Sequence, residues 1–521
     1  MLKSILKNIA WFFYYLFIAC LLWTNSFGYL DPDYGWHLKF GEIISQTRSM
    51  PHDQIFMWSL NNKSWVDHEW LSNLITYGLN LFGGYIMVSL FFVIIPLLTI
   101  FIINRYVFKT YLNAKREKIF FAILQLFGIF GCLPHFGVRM QELAFLLFSL
   151  ELITLDKFRN SHKIKYLLWL IPLIYFWACL HGSYLIGIAI IIGMLLYELG
   201  LIIFPKTKNL ANETSLDIKK YFLAAAILLV AILTSCLTPY GKELYDFLKD
   251  YGSNRYYLSH IEEWRSPYSL PLRYDQIAFS VLIFTLFLGS YFFAKQKIKP
   301  WKLASFIALL VLASRSVRHF PLFLVSSLIL IIPTSIRGNL DAINIPYKRY
   351  LKALTIICLI LIGSSLLIQS KTNKTPFRSY CDYYPCQAVD FIKNNKKYSK
   401  LKLFNDYGWG GYIIGTDYGI RPFIDGRLPQ YPYKNHSLLE EYSDFFKKDL
   451  VAKKLKEHDV EIILFKSKEP PYEPDFFEKY FLGKKYEERK NPLLEFLKDS
   501  NNWSLVYNDD IAFIYVRKDK K

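Results

Sequence analysis

The sequence predicts a polytopic α-helical membrane protein, with about eleven transmembrane helices over residues 1–370 and an extracytoplasmic α/β domain over 371–521. Three observations carry this. Of the 521 residues, 53% are hydrophobic and 18% aromatic, and long apolar runs recur between residues 9 and 368. Basic residues crowd into every second loop between those runs. Past residue 371 the apolar runs shorten and charge rises over about 150 residues, an ordinary size for a soluble domain.

Apolar runs near membrane-crossing length lie at 9–30, 84–104, 117–133, 140–156, 166–180, 183–204, 221–238, 276–294, 302–314, 320–335 and 350–369. The first is too long and too aromatic for a cleaved leader and is expected to stay as a helix. Lys3/Lys7, Arg105/Lys109/Lys115/Arg116/Lys118, Lys157/Arg159/Lys163/Lys165, Lys206/Lys208/Lys219/Lys220, Lys295/Lys297/Lys299/Lys302 and Arg337/Lys348/Arg349/Lys352 mark alternate loops as cytoplasmic. That orientation puts the N-terminus in the cytosol of a cell whose cytoplasmic (inner) membrane holds the chain. Loops 31–83, 134–139, 181–183, 239–275 and 315–319, with the tail from Lys371, then face outward. A net charge of +19 would also suit nucleic acid, but charge set out loop by loop is a topology signal, so the expected partner is the lipid bilayer and no nucleic acid.

Cys20, Cys132, Cys179, Cys236 and Cys358 sit in apolar segments and read as small core residues. Cys381 and Cys386 flank Asp-Tyr-Tyr-Pro on the outer side, where a disulfide and two free thiols are equally good readings. No second cysteine pair or nearby histidine pair completes a zinc site there.

The first outer loop, 31–83, is where the chemistry concentrates. Asp31-Pro32-Asp33-Tyr34-Gly35-Trp36-His37 and Trp65-Val66-Asp67-His68-Glu69-Trp70 place four acidic residues and two imidazoles beside a bilayer, where charge is costly. After Asp33, which suits an N-cap, Trp36, Phe40, Ile43 and Ile44 recur at helical spacing, putting Asp33 and His37 on one face. Trp70, Leu71, Leu74, Ile75 and Leu79 make a second apolar side that Gly83-Gly84 ends. One aspartate alone would read as a cap. Asp31 and Asp33 together, with His37, suit a general base or the ligands of a divalent cation such as Mg or Mn. Asp67, His68 and Glu69 form a second acidic or metal-binding cluster, although no His-x-x-x-His spacing supports the metal and plain solvation suits them as well.

Arg139, preceded by His135, and Arg315, Arg318 and His319 lie in two short outer turns. Arginines at helix ends often snorkel to the interface, but two arginine-bearing outer turns better fit an anion, which guanidinium grips bidentately. The turn around Trp177, His181 and Tyr184, and the loop 262–267, give supporting weight only. In the tail, helices are expected over 388–395, 438–446 and 476–497, and strands over 401–404, 422–424, 461–465, 504–507 and 512–516. Asn405-Asp406-Tyr407-Gly408-Trp409-Gly410-Gly411-Tyr412 and Ile424-Asp425-Gly426-Arg427 follow strand ends, where ligand loops and structural turns are both common.

Asp-x-Asp with Trp36-His37-Leu38-Lys39, then Trp65-Val66-Asp67-His68-Glu69-Trp70-Leu71, then Phe423-Ile424-Asp425-Gly426-Arg427, resembles bacterial membrane proteins of the GT-C glycosyltransferase superfamily. The chain looks like a distant relative of protein O-mannosyltransferases and aminoarabinose transferases over nearly its whole length. The resemblance implies a sugar donor on a polyprenyl phosphate, an acceptor left unnamed, and an acidic catalytic residue in the first outer loop. It carries Asp33 or Asp31 over as the base, and Asp67 and Glu69 as a second acidic site. The chain departs from the adjacent Asp-Glu pair of that family by having Asp-Pro-Asp, and has Arg139-Met140 in place of Arg-Pro. Competing readings are a transporter or flippase of lipid-linked saccharides, and a non-catalytic envelope assembly protein. A transporter would place ionisable groups near the bilayer midplane, whereas here charge gathers at one surface.

Overall fold

A computed structural model of the chain describes residues 2–28, 30–61, 63–204, 214–267, 298–337, 356, 380–416, 419–468, 474, 479–480, 483–487 and 490–520. The chain divides into two compact units: Met1–Tyr29, Tyr85–Gly241 and Ser266–Phe377 form one, and Leu30–Gly84, Lys242–Arg265 and Arg378–Lys521 the other. The first outer loop, grouped with the membrane-spanning part on hydropathy, is instead built into the C-terminal unit.

The first unit is helical. Six described stretches are long and apolar enough to cross a membrane: Ile9–Phe27, Trp70–Thr110, Lys115–His135, Tyr184–Ile203, Ile218–Leu237 and Val317–Ile336. The helix Pro300–Arg315 and the short apolar stretch Ile164–Leu180 fall below that length. The expected spans at 276–294 and nearly all of 350–369 lie outside the described residues. Gln141–Ser161 is long enough but carries Glu142, Glu151, Asp156, Lys157 and Arg159. Ions inside an apolar bundle need partners. Asp156 accepts from the hydroxyls of Tyr106 and Tyr111 and pairs with Lys302 at 2.9 Å, while Arg159 pairs with Glu198.

The helix Trp70–Thr110 is broken at Gly83 and Gly84, as the glycine pair predicts; Gly84 takes φ 62°, a left-handed conformation that favours glycine. Residues up to Gly84 belong to the second unit.

In the second unit four strands, β1 (Leu403–Asn405), β4 (Ile462–Lys466), β5 (Trp503–Asn508) and β6 (Ala512–Arg517), form a sheet in the order β1-β4-β6-β5. Two further strands, β2 (Pro432–Tyr433) and β3 (His436–Ser437), make a separate hairpin. β1 runs parallel to β4, with Phe404 opposite Ile463, and the other pairings in the sheet are antiparallel. Burial of the first four residues of β4 and the first five of β6 explains their unbroken apolar runs. Helices Cys386–Asn394, Leu438–Asp444, Val451–Glu457 and Pro492–Asp499 surround this sheet in sequence. Cys381 and Cys386 are joined as a disulfide, their Cα atoms 5.4 Å apart.

The expected strand at 422–424 is absent. The Asn405 side chain takes its place, accepting from Phe423 N–H at 2.8 Å and donating to Ile424 C=O at 2.9 Å. Gly410–Thr416 is a helix, not a turn.

The first outer loop enters the core of this unit. Trp36, Phe40, Phe56, Met57 and Trp65 are buried in one apolar cluster with Phe404, Phe423, Phe445 and Phe513. Each such aromatic contributes roughly 2–3 kcal/mol on burial. Trp58 Nε1 donates to Leu403 C=O at 2.8 Å, tying the loop to the end of β1. The helix Tyr34–Thr47 packs against Gly410–Thr416 with no room for side chains at the crossing. A Cβ on Gly35 would stand 2.0 Å from Gly411 O, and one on Gly411 would stand 2.0 Å from Pro32 O.

Gly411→Ala is therefore expected to lower stability by about 2 kcal/mol or more, since backbone atoms must yield. Gly78→Ala, where an added Cβ meets nothing within 4 Å, is expected to be neutral or stabilising. Thermal unfolding of both variants in one detergent checks the pair.

Candidate active site

The site in the C-terminal unit begins with the bend at Pro32. Asp31 Oδ1 accepts the Asp33 backbone N–H at 2.9 Å, and Tyr34 N–H bonds Asp31 C=O at 3.1 Å, which fixes the entry to the helix Tyr34–Thr47. Asp33 stands at the N-cap position but makes no side-chain capping bond. Its Oδ1 accepts from Trp36 Nε1 at 2.9 Å instead. The carboxyl is thus turned from the role that helix-start preferences assign it.

Burial pushes Asp33 up to about 7; the Asp31, Glu263 and Asp425 carboxylates add to the shift, and the Trp36 bond opposes it. A carboxyl held there exchanges its proton near neutral pH. Gly426 makes its position possible: a Cβ on that residue would lie 2.0 Å from Asp33 Oδ1. Tyr407 lies near enough to feel the same charges. Burial raises its phenol well above the ordinary range, and Asp33, Tyr251, Asp425 and Glu263 reinforce this, so it stays a neutral O–H.

Asp425 is fully buried and gripped by Arg427, which donates from Nε at 2.9 Å, Nη2 at 2.6 Å and its backbone N–H at 2.9 Å. The guanidinium lies 5.1 Å from the ring centre of Phe40 and 5.2 Å from those of Phe56 and Trp65. Those three rings come from the first outer loop, so this turn of the tail is anchored inside it.

A second network lies behind the first. Asp67, fully buried, accepts from Asn73 Nδ2 at 2.8 and 2.7 Å on its two oxygens. Burial raises it to about 7, against the lowering effect of Asn73, the Glu69 N–H and Arg427. Asn73 Oδ1 meets His37 Nδ1 at 2.5 Å, and since that amide oxygen only accepts, Nδ1 carries the imidazole proton. Burial holds His37 down at about 3, so it is neutral and its Nε2 keeps a lone pair, 3.8 Å from Glu69 Oε2. Glu69 Oε1 is 3.6 Å from His68 Nε2.

His37 therefore does not support Asp33, despite the helical spacing: its ring stacks beside Trp36 and bonds Asn73. Nor do Asp67, His68 and Glu69 suit Mg or Mn. Asp67 is occupied by Asn73, and among the described residues no three His, Cys, Asp or Glu side chains are disposed to hold a metal ion. Asp425 and Tyr407 are neighbours of Asp33 in this arrangement; in sequence they lie in two loops after strand ends, where a ligand loop and a structural turn are equally good readings.

In the helical unit, residues of three turns lie close together. His135 packs its ring edge-on to Phe320 at 6.1 Å, and Arg318 Nη2 lies 3.4 Å from His181 Nε2. Ser183 N–H donates to His181 Nδ1 at 3.1 Å, so neutral His181 carries its proton on Nε2. His319 adjoins Arg318, Arg139 opens the helix Gln141–Ser161, and Arg315 ends its helix in an exposed position.

No family model and no curated protein matches the chain. Among solved structures, the chain is similar to the archaeal oligosaccharyltransferase AglB from Archaeoglobus fulgidus in complex with an inhibitory peptide and a dolichol-phosphate. The TM-score is 0.49 and the identity 11%, over 88% of this chain and 69% of that one. The apo form of the Archaeoglobus fulgidus oligosaccharyltransferase gives the same TM-score of 0.49 and identity of 11%, over 89% and 69% of the two chains.

Two outcomes follow from the electrostatics. Asp425→Asn leaves Arg427 buried without its counter-ion and is expected to cost on the order of 3–5 kcal/mol, most of it recovered in Asp425→Asn/Arg427→Met. Asp33 is raised from 3.8 to about 7 by folding, so its contribution is fully favourable below 3.8 and is lost as pH rises through 7. Asp33→Asn is accordingly expected to melt higher than the parent at pH 8 and level with it below pH 4, read by thermal unfolding across pH.

Proposed function

We propose that this chain is a GT-C type membrane glycosyltransferase. It moves a sugar from a polyprenyl-phosphate donor to an acceptor hydroxyl or amine at the outer face of the cytoplasmic membrane. The observation that carries the reading is Asp33, a carboxyl in the first outer loop held near neutrality at about 7 among Asp31, Glu263 and Asp425. A base with that affinity takes up a proton readily at physiological pH. The reading includes about eleven membrane passes, a cytoplasmic N-terminus and an outward-facing C-terminal region, supported by the loop-by-loop alternation of basic residues.

In the reaction, the acceptor oxygen or nitrogen bonds to the anomeric carbon of the donor sugar and the bond from that carbon to the phosphate oxygen breaks. The acceptor proton goes to Asp33, and the electron pair of the broken bond stays on the phosphate. Asp31 orients Asp33 through its N–H bond, and Trp36 holds the receiving carboxyl. Asp31 remains the alternative base: each aspartate has one carboxyl oxygen engaged at 2.9 Å, Asp31 by the Asp33 N–H and Asp33 by Trp36 Nε1, and it is the burial that raises Asp33 that favours Asp33. Arg139, Arg315, Arg318 and His319, the basic groups of two short turns in the sequence, are proposed for the donor phosphate, because guanidinium and imidazole N–H donors stabilise the charge that develops there.

Asp33→Asn is expected to lower kcat by about 10²- to 10⁴-fold with the chain still inserted and folded. Gly426→Ala, whose methyl must push the Asp33 carboxyl aside, is expected to lower kcat at least about tenfold through misplacement. Arg318→Ala is expected to raise KM for the donor. A radiolabelled polyprenyl-phosphate-sugar transfer assay on membranes measures all three, and full activity in Asp33→Asn would refute the base assignment.

A further inference from the structure

The disulfide between Cys381 and Cys386, five positions apart, has no role in the reaction above. It closes a tight turn of the C-terminal unit, in which Tyr384 N–H bonds Tyr380 C=O at 2.9 Å and Cys386 N–H bonds Tyr384 C=O at 2.8 Å. Both cysteines are half-buried. Two tyrosines inside the ring reach the first outer loop. Tyr383 Oη accepts the Leu30 N–H at 2.8 Å, and Tyr384 Oη donates to the Leu30 C=O at 3.0 Å.

Leu30 is buried, lies outside any helix or strand, and immediately precedes Asp31. Its main-chain N–H and C=O need partners away from water, and side chains of the tail supply both. The entry to the Asp31-Pro32-Asp33 bend is therefore fixed by the disulfide turn. The tyrosines are braced in their turn: Trp409 Nε1 donates to Tyr383 C=O at 3.3 Å, and the Tyr412 ring centre lies 4.9 Å from that of Tyr384. Between those two, Gly410 and Gly411 meet the site itself. A Cβ on Gly410 would stand 2.7 Å from Asp425 Cα, and Gly411 packs on Pro32 O. The bend is thus gripped before Asp31 by the turn and after it by the helix on which the turn leans.

We propose that Tyr383 and Tyr384 are positioning residues for the Asp33 base, and that the disulfide between Cys381 and Cys386 is the fastening that lets them act. The inference rests on the reading of Asp33 as the base of sugar transfer. A short ring closed through sulfur has few conformations, so two neighbouring phenols keep the one spacing that matches a single backbone N–H and C=O. With the ring open, Leu30 is released, water enters the bend, and the Asp33 carboxyl leaves its place beside Gly426.

The test compares the full chain in detergent with Tyr383→Phe/Tyr384→Phe, which keeps the rings and removes the hydroxyls, and with Cys381→Ser/Cys386→Ser. Backbone amides over 30–37 are expected to exchange at least about tenfold faster in both variants, read by mass spectrometry. In the transfer assay kcat is expected to fall about tenfold with KM for the donor held, and the rising limb of the pH profile to move to lower pH, because a wetter carboxyl gives up its proton more easily. Dithiothreitol breaks the S–S bond by giving it two electrons and two protons while its own thiols close into a ring disulfide. It is expected to bring the parent to the rate of the serine variant and to leave that variant unchanged. The tyrosine variant decides alone where the serine variant does not fold. Unchanged exchange over 30–37 in the tyrosine variant, or an active parent whose kcat and pH profile survive that change, would overturn the proposal. No transfer by the parent, with exchange still responding to the variants, would instead refute the sugar-transfer reading and leave the grip on Leu30 standing.

Discussion

The bidentate pair between Arg427 and Asp425, shut inside the rings of Phe40, Phe56 and Trp65, is the constraint on which the C-terminal unit depends. A guanidinium cannot shed its charge, so once dehydrated it must keep both its carboxylate and its aromatic faces. Three of those faces belong to the first outer loop and the carboxylate to the tail. Segments far apart in sequence are therefore held in one register, and Gly35 and Gly411 reinforce it by letting two helices touch backbone to backbone.

That register gives Asp33 its properties. Arg427 gives Nε and Nη2 to Asp425, and Asp33 is left in a dry environment among like charges, which is the combination that raises a carboxyl. Behind it, Asn73 sorts a second set of groups: it donates to Asp67 and accepts from His37 Nδ1, which fixes the tautomer of an imidazole that burial keeps neutral, with Nε2 turned toward Glu69. Burial is the main cause that raises both carboxyls; neighbouring carboxylates add to it at Asp33, and at Asp67 it acts alone against hydrogen bonds and the Arg427 charge.

Much of the fold is legible because it rests on local signals. Hydropathy finds the long apolar helices, alternation and β-branched runs find β4, β5 and β6, and Gly83-Gly84 marks the break before the second span. The failures have tertiary causes. The glycine-rich stretch 405–412 reads as a ligand loop or a structural turn because glycine disfavours helix, yet Gly410–Thr416 is helical, and its close packing on Gly35 requires the missing side chains. Residues 422–424 have strand character, but Asn405 satisfies their backbone in place of a strand partner. Helical spacing aligns His37 with Asp33, and a stronger partner, Asn73, draws the ring away. Asp31 and Asp33 stand out in sequence; Asp425, Tyr407 and Glu263 become their neighbours only through the fold.

The central claim is that folding holds the Asp33 carboxyl near neutrality. Infrared or carbon-13 titration of the carboxyl signals, taken as the difference between the parent and Asp33→Asn, measures it directly. The expected result is one carboxyl with a midpoint at about 7 that vanishes in the variant. A midpoint near the ordinary aspartate value of 3.8 would contradict the account.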